Sequence, residues 1–415
     1  MSLLQGESLD AVRAGSRVHL AGVLAGALLV HLAVGLSLQA VPVLAPVILP
    51  ESGVALHSLG LVASTTAVGT ILGLLAARHP ALRLPPASTL QASCLLLVAG
   101  AAVVTAASAV LLFVAALLLG LGRAQTTPSA AQMLGGIPGG SSALAFSVLQ
   151  SGAPAGGVLC GLLLPAVAAG HGWRVSVAVG AAVSLLAAIA VQPLRRRELR
   201  GGSVTPPRER MANPLALLRR RDGMAQLAAL ACALAAAQIS CMLFAVTFMV
   251  EGLGASLGEA GAAFAAMNAA GLLARPLAGW LADRAGRPTV NLLLHAAVAS
   301  AAVLVFSLLP REASAASLLV SASLVGMAAF SWQGLVLAEV ARRTGADQVG
   351  DAVAGVLLLV MVSSLGAGPA LASLVLWLTG SWSLYLSGTS LVLVLTALTA
   401  GRALLGDAGA RRSDP

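Results

Sequence analysis

The chain alternates between long apolar runs and short polar segments. A helix needs about 20 consecutive, mostly apolar residues to cross the hydrocarbon core of a bilayer. The runs reach this length twelve times, so they predict an all-α membrane protein with twelve spans. The predicted spans are residues 18–43, 56–77, 87–107, 109–133, 143–169, 173–193, 223–250, 260–281, 289–309, 315–340, 351–377 and 382–405.

The composition of the chain excludes a water-soluble globular protein. Of its 415 residues, 58% are hydrophobic and 9% are charged, whereas soluble domains carry about 25% charged residues. The mean hydropathy is +0.95. The four cysteines lie inside apolar runs, with neither the spacing of a metal site nor the pattern of a disulfide framework. We therefore expect them to be packing residues.

The positions of the arginines predict how the chain lies in the membrane. All 24 basic residues are arginines. With a cytoplasmic N-terminus, 20 of them fall on the inside and two, Arg174 and Arg311, on the outside. Such a bias is typical of membrane proteins, whose cytoplasmic loops carry the positive charge. We expect both termini in the cytoplasm, a location in the cell inner membrane, contact of the arginines with lipid headgroups, and no nucleic-acid partner.

The two halves of the chain repeat each other. The run 73–78, GLLAAR, follows predicted helix 2, and the run 279–284, GWLADR, follows predicted helix 8 at an offset of 206 residues. We predict a six-helix bundle of residues 1–193, an arginine-rich cytoplasmic linker of residues 194–222, and a second six-helix bundle of residues 223–415. Duplicated bundles with a binding site between them are typical of secondary transporters.

The run GWLADRAGRP at residues 279–288 keeps the pattern G-x-L-a-D-r-x-G-r. With this pattern the chain resembles the major facilitator superfamily (MFS), and the resemblance covers essentially its whole length. It implies two pseudo-symmetric six-helix bundles that work by alternating access. It also implies a gating role for Gly279, Asp283, Arg284, Gly286 and Arg287. The first-half copy departs from the pattern, because Ala77 and Pro80 stand where the acid and the second glycine are expected.

A narrower resemblance concerns predicted helix 8. The run Ala274-Arg275-Pro276 is similar to a segment of monocarboxylate and oxalate/formate-type carriers, in which the helix 8 arginine binds the carboxylate of the substrate. The runs 127–129 and 146–152 resemble bacterial cyanate- or organic-anion-type carriers. These similarities imply an anionic substrate at Arg275. The chain departs from the pattern at one position, since Gly271 stands where such carriers often have an aspartate.

Two arginines lie inside predicted spans. At 1.5 Å per residue, Arg123 is roughly 16 Å and Arg275 roughly 12 Å from the cytoplasmic end of its helix. All 15 acidic residues fall in tails, loops or helix ends, so neither arginine has an obvious acidic partner in the membrane. A charge at the bilayer centre costs about 2.5–3.5 kcal/mol, and a mobile anion would neutralise it. The alternative is that each arginine bonds helix-end carbonyls or braces the cytoplasmic gate.

Further polar residues complete the candidate site. His31 lies near the middle of helix 1, and histidine titrates near physiological pH, so His31 is a candidate for coupling the substrate to protons. The alternative is a neutral, hydrogen-bonded histidine that only packs. The other candidates either bind the substrate or bridge helices. They are Gln39, Thr126, Thr127, Gln150, Gln238, Asn268, Trp332 and Gln333.

These observations predict a secondary transporter of a small organic anion, with a carboxylate as the expected substrate and with proton symport or anion exchange as the coupling. We expect a monomer that contacts membrane lipid, binds neither cofactor nor metal, and is not an enzyme. The absence of lysine excludes the lysine-containing nucleotide-binding loop. A drug/proton antiporter and a non-transporting membrane sensor are the alternatives.

Overall fold

The computed structural model describes residues 2–413 except residues 78, 80–83, 136, 138–142, 202–222, 286, 345–348 and 364–367. This part of the chain forms helices and contains no β-strand. Twelve helical spans in it are long and apolar enough to cross a membrane. The prediction of an all-α protein with twelve spans is therefore confirmed.

We number the helices by the span that they form and add letters where a span is interrupted. The first half comprises helix 1 (Ser2–Glu51), helix 2 (Leu59–Ala76), helix 3 (Pro86–Val104), helices 4a (Ala109–Ala124) and 4b (Thr126–Gly135), helix 5 (Ala143–His171) and helix 6 (Trp173–Gly201). The second half comprises helix 7 (Met224–Thr247), helix 8 (Leu257–Ala285), helix 9 (Pro288–Ser307), helices 10a (Ala315–Ala329) and 10b (Gln333–Arg343), helices 11a (Val349–Val360) and 11b (Gly368–Thr379), and helix 12 (Trp382–Ser413). Because the described residues form an even number of spans, helix 1 begins and helix 12 ends on the same side, which we call the terminal side; the other is the distal side.

Helix 6 continues beyond its predicted apolar span. It runs to Gly201, into the segment predicted as a linker, and residues 202–222 lie outside the described residues. The Glu198 carboxylate in this extension accepts hydrogen bonds from the backbone N–H groups of Ala87 (3.1 Å) and Ser88 (3.3 Å). These groups open helix 3 and have no acceptor within that helix. A polar cap thus attaches helix 6 to helix 3 where hydropathy alone would end the helix.

Spans 4 and 10 are interrupted at matching places in the two halves. The residues that follow helices 4a and 10a, Gln125 (φ −103°, ψ 3°) and Phe330 (φ −108°, ψ 2°), share one conformation. The apolar pattern predicts continuous spans, and the structure corrects this. In span 4, Pro128 has no N–H for the carbonyl of Ala124, and its ring crowds that carbonyl. In span 10, the hydroxyl of Ser331 donates to a carbonyl of the preceding turn and competes with the helical hydrogen bonds.

Small residues join the two halves in the distal part of the bundle. A Cβ atom added at Gly161 of helix 5 would lie 2.5 Å from the carbonyl oxygen of Gly261 in helix 8, and the converse distance is also 2.5 Å. Gly60 of helix 2 meets the carbonyl of Pro369 in helix 11b in the same way. The backbones approach this closely because the glycines carry no side chain. Helices 1 and 7, which carry several site candidates, are the most enclosed of the spans.

Candidate functional site

Arg123 occupies the last turn of helix 4a, directly before the interruption of span 4. Its side chain is half-buried. Within the described part of the chain, its guanidinium has neither a hydrogen-bond partner nor a carboxylate within 4.0 Å. Its backbone carbonyl is satisfied, since the Thr126 hydroxyl donates to it at 2.8 Å. The C-terminal end of helix 4a favours a positive charge here, and the guanidinium remains available to an anion.

Arg275 of helix 8 reaches the end of the other interrupted span. Its half-buried side chain donates from Nε to the carbonyl oxygen of Phe330, at 3.1 Å, where helix 10a ends. One guanidinium nitrogen therefore does bond a helix-end carbonyl, as the alternative interpretation proposed. No described carboxylate lies within 4.0 Å, and the two terminal nitrogens keep the parallel N–H pair that binds a carboxylate.

Thr127 of helix 4b is held by His31 of helix 1. The His31 ring is buried, with Nδ1 2.9 Å from the carbonyl oxygen of Ala27 and Nε2 3.2 Å from Oγ1 of Thr127. A carbonyl only accepts, so Nδ1 carries the proton and Nε2 accepts from the hydroxyl of Thr127. The Thr127 side chain is otherwise exposed. Helix 5 packs close by, because a Cβ at Gly152 would lie 2.7 Å from Cβ of His31.

The second half repeats this arrangement with different side chains. Trp332, just before helix 10b, donates from Nε1 to Oε1 of Gln238 in helix 7 at 2.8 Å, and Gln333 approaches the same oxygen at 3.4 Å. Trp332 and Gln238 are buried, whereas Gln333 is half-buried. The start of each half-helix is thus held by the central helix of its own bundle, helix 1 or helix 7.

Gln39 and Asn268 meet across Gly157, where helix 1 and helix 5 contact helix 8. A Cβ at Gly157 would lie 2.5 Å from Oδ1 of Asn268 and 2.8 Å from Nε2 of Gln39. Asn268 is buried and donates to the carbonyl of Phe264 at 3.0 Å. Gln39 is also buried, and its Oε1 has no hydrogen-bond partner among the described residues. Gln150 lies two turns before Gly157 on the same face of helix 5, and its side chain is exposed.

Comparison with known proteins identifies the family of this chain. Residues 27–369 match the profile of the Major Facilitator Superfamily. The chain belongs to this superfamily. No curated protein sequence matches it significantly.

Solved structures of MFS-type transporters share its fold. A peptide transporter POT in complex with sulfate is 14% identical, with a TM-score of 0.72 over 93% of this chain and 94% of that one. A bacterial homolog of the human lysosomal transporter Spinster, inward-facing and occupied, is 17% identical, with a TM-score of 0.68 over 93% and 96%. A variant of the nucleoside transporter NupG is 12% identical, with a TM-score of 0.71 over 94% and 99%. At such identities the likeness shows the fold alone.

The MFS signature loop lies on the terminal side, where helix 8 ends. Gly279 and Arg284 are in the last turns of helix 8, and Arg287 precedes helix 9. The guanidinium of Arg284 lies over the ring of Trp280, 5.4 Å from its centroid, and both side chains are exposed. Two predicted gating residues, Gly286 and the side chain of Asp283, lie outside the described residues.

The sequence analysis, which assigned every acidic residue to a tail, a loop or a helix end, missed a buried ion cluster beside this loop. The Glu339 carboxylate is fully buried and accepts hydrogen bonds from Thr289 (2.7 Å), Arg342 (2.6 Å) and Arg343 (2.7 Å). Hydrogen bonding to Glu339 raises the pKa of the Arg342 guanidinium. The cluster ties helix 9 to helix 10b, and Arg343 extends it to the carbonyl of Leu404 in helix 12 at 3.5 Å. In the sequence, the i, i+3 and i+4 spacing of Glu339, Arg342 and Arg343 could have indicated this cluster.

Ser256 stands in the run 254–258, GASLG, which fits the nucleophile pattern G-x-S-x-G. The structure assigns this serine to a helix cap. Its hydroxyl donates to Oε2 of Glu259 at 2.7 Å and accepts from the Glu259 N–H at 3.2 Å, which is a capping box at the start of helix 8. In the part of the chain that is described, no group of three or more histidine, cysteine or acidic residues is placed to hold a metal ion.

Proposed function

We propose that this MFS transporter carries a small organic anion, a carboxylate, by alternating access between the bundles of residues 1–193 and 223–415. The observation that carries the proposal is the pair of half-buried guanidinium groups at the two interrupted spans, Arg123 and Arg275, with no described carboxylate within 4.0 Å of either. Insertion scales put the cost of such a charge in the membrane at about 2.5–3.5 kcal/mol. A bound anion offsets this cost.

Packing around Arg275 supports an external anion over an internal acid. A Cβ at Gly271, one turn before Arg275, would lie 2.6 Å from Cβ of Phe330. An aspartate at this position would therefore displace helix 10a. The glycine permits the close contact of the two helices and leaves Arg275 without the acid that similar carriers often place there.

The polar candidates divide into two groups by exposure. We propose that Thr127, Gln150 and Gln333, which are exposed or half-buried, contact the anion together with the two arginines. The buried group of Gln39, Thr126, Gln238, Asn268 and Trp332 positions the interrupted spans and the junction of the bundles. The arginine distribution supports an inner-membrane location with cytoplasmic termini, so the terminal side would be the cytoplasmic one.

Counterflow in proteoliposomes tests the assignment of the arginines. Radiolabelled oxalate, lactate and benzoate are exchanged against the same unlabelled anion at equal pH, with protein-free liposomes as the blank. A hydrogen bond to a charged group contributes about 1.5–3 kcal/mol, so we expect Arg275→Ala and Arg123→Ala to raise KM roughly 10- to 100-fold.

Arg311→Ala is the matched control, because Arg311 is exposed on the distal side and reaches only the carbonyl of Gly252, at 3.4 Å. It should leave KM unchanged. Carboxylate exchange that survives Arg275→Ala unchanged would remove the assigned role. Export of cationic drugs with no exchange of any carboxylate would favour the drug/proton antiporter instead.

A further inference from the structure

The contact between His31 and Thr127 joins a titratable ring to the exposed side chain of Thr127, which lies four residues after Arg123 in the chain. We infer that His31 makes transport proton-coupled by setting the direction of the Thr127 hydroxyl, so that one proton and one anion bind together. The inference rests on the proposed function, since it concerns the same anion site. It specifies the mode of coupling as proton symport rather than anion exchange.

In the neutral ring, Nδ1 donates to the carbonyl of Ala27 and Nε2 has only a lone pair. The single hydroxyl proton of Thr127 is then directed to Nε2, 3.2 Å away. Toward the exposed side, Oγ1 of Thr127 therefore presents only its lone pairs. These repel an anion, so the neutral state opposes anion binding next to Arg123.

Protonation of Nε2 reverses this hydrogen bond. The imidazolium still donates from Nδ1 to Ala27, and it now donates from Nε2 to Oγ1 of Thr127. The hydroxyl proton becomes free to rotate outward and to donate to a carboxylate oxygen. No covalent bond of the anion changes: one proton is taken from water by Nε2 and is returned to water when the anion leaves.

Away from the helix ends, few titratable groups lie on the helices packed against helix 1. Among the described side chains of the helices packed against helix 1, the charge nearest along the chain to Thr127 is Arg123, one turn earlier in helix 4a. Helices 2 and 4b contain no titratable residue. The remaining titratable groups are thiols or lie toward the helix ends: Cys94, Cys160, His171, Arg174, Arg195, Arg196, Arg197, Glu198, Arg200, Cys232 and Cys241, with His19, Glu51 and His57 near the ends of helix 1.

A carboxylate that accepts the outward hydroxyl proton of Thr127 stabilises the state in which Nε2 of His31 is protonated. Protonation of His31 equally favours the bound carboxylate, so the anion and the proton bind cooperatively. With one proton per anion, the affinity for the anion should rise up to about tenfold for each unit of falling pH while His31 titrates, and level off below that range.

The first measurement is the affinity of the purified protein for oxalate as a function of pH. The second is the accumulation of oxalate in proteoliposomes under an imposed pH gradient. We expect His31→Gln to abolish gradient-driven accumulation and to flatten the profile. Thr127→Val should do the same while leaving the buried ring of His31 in place, and Thr127→Ser should keep the wild-type profile. His295→Gln is the control, since His295 of helix 9 is a half-buried histidine that is bonded to the Ala328 backbone in the second half of the chain; it should keep the wild-type profile.

The outcomes separate the two proposals. Oxalate exchange by the wild type with a flat pH profile overturns the coupling and leaves the anion carrier standing. A wild-type profile that persists in Thr127→Val and in His31→Gln assigns the proton to another group and also overturns it. Exchange of no carboxylate at any pH contradicts the proposed function and the coupling together.

Discussion

Glu339 shows at the scale of one residue how burial changes a role. In the sequence it is an acid near the end of a span, followed by two arginines that serve as topology signals. In the structure it is fully enclosed and is the common acceptor for Thr289, Arg342 and Arg343. Because a buried carboxylate has lost its water, these hydrogen bonds decide whether the charge is tolerated.

We therefore expect Glu339→Gln to destabilise the protein by about 3 kcal/mol, because breaking a buried ion pair leaves a buried guanidinium uncompensated. Thermal unfolding in detergent measures this. Glu312→Gln replaces an exposed acid and should shift the midpoint little. Equal midpoints for the two variants would mean that the cluster contributes nothing to stability.

At the scale of elements, the interruptions of spans 4 and 10 determine the geometry of the candidate site. Each places the end of one half-helix beside an arginine and begins a second half-helix whose first side chains are held by helix 1 or helix 7. The half-helix starts also present backbone N–H groups that favour an anion. The site is thus a property of two broken elements rather than of one continuous helix.

Replacing Pro128 tests this arrangement. Pro128→Ala supplies an N–H for the carbonyl of Ala124 and removes the ring that crowds it. We expect span 4 to straighten, Thr127 to lose its contact with His31 and the KM for oxalate to rise about tenfold, for the loss of roughly one hydrogen bond. Thermal stability should not fall.

Pro46→Ala is the control for this change, since Pro46 lies inside helix 1, which continues through it. Its KM should match that of the wild type. If Pro128→Ala also exchanged oxalate with the wild-type KM, the interruption would not be needed for binding.

At the scale of the whole molecule, the two bundles meet through backbone in the distal part of the membrane. Gly161 and Gly261 approach so closely that neither position has room for a side chain. The alternating access proposed above requires this contact to open and to close again in each cycle. Opening a contact between glycine backbones breaks no ion pair. Its closure is sensitive to any side-chain volume added at these positions.

We expect Gly161→Leu to keep the distal side apart and to reduce oxalate counterflow more than about tenfold, because overpacking such a contact costs about 1–3 kcal/mol or more. Spin labels on the distal ends of helices 5 and 8 should move apart. Gly258→Leu, one turn before Gly261 and facing open space, should change neither reading. Normal counterflow in Gly161→Leu would show that this contact is not part of the cycle.

The sequence by itself determined the class of fold and singled out the most polar members of the candidate site. Lipid makes spans long and apolar, and it makes an internal charge costly, so the twelve spans and the residues Arg123, Arg275 and His31 stand out without coordinates. The repeat of the two halves was visible for the same reason, since the MFS loop is among the few polar runs.

Only the tertiary structure decided which of these residues lie in contact. The interruptions depend on carbonyls that lose their helical N–H groups. The Glu339 cluster depends on the packing of helix 10b against helices 9 and 12, which buries Glu339 and Arg343. The direction of the Thr127 hydroxyl depends on a lone pair of His31 in another helix. Hydropathy averages over a whole span and does not register one missing hydrogen bond. The unit charges were therefore visible in the sequence, whereas their burial and their contacts with other helices were set by segments far apart in the chain.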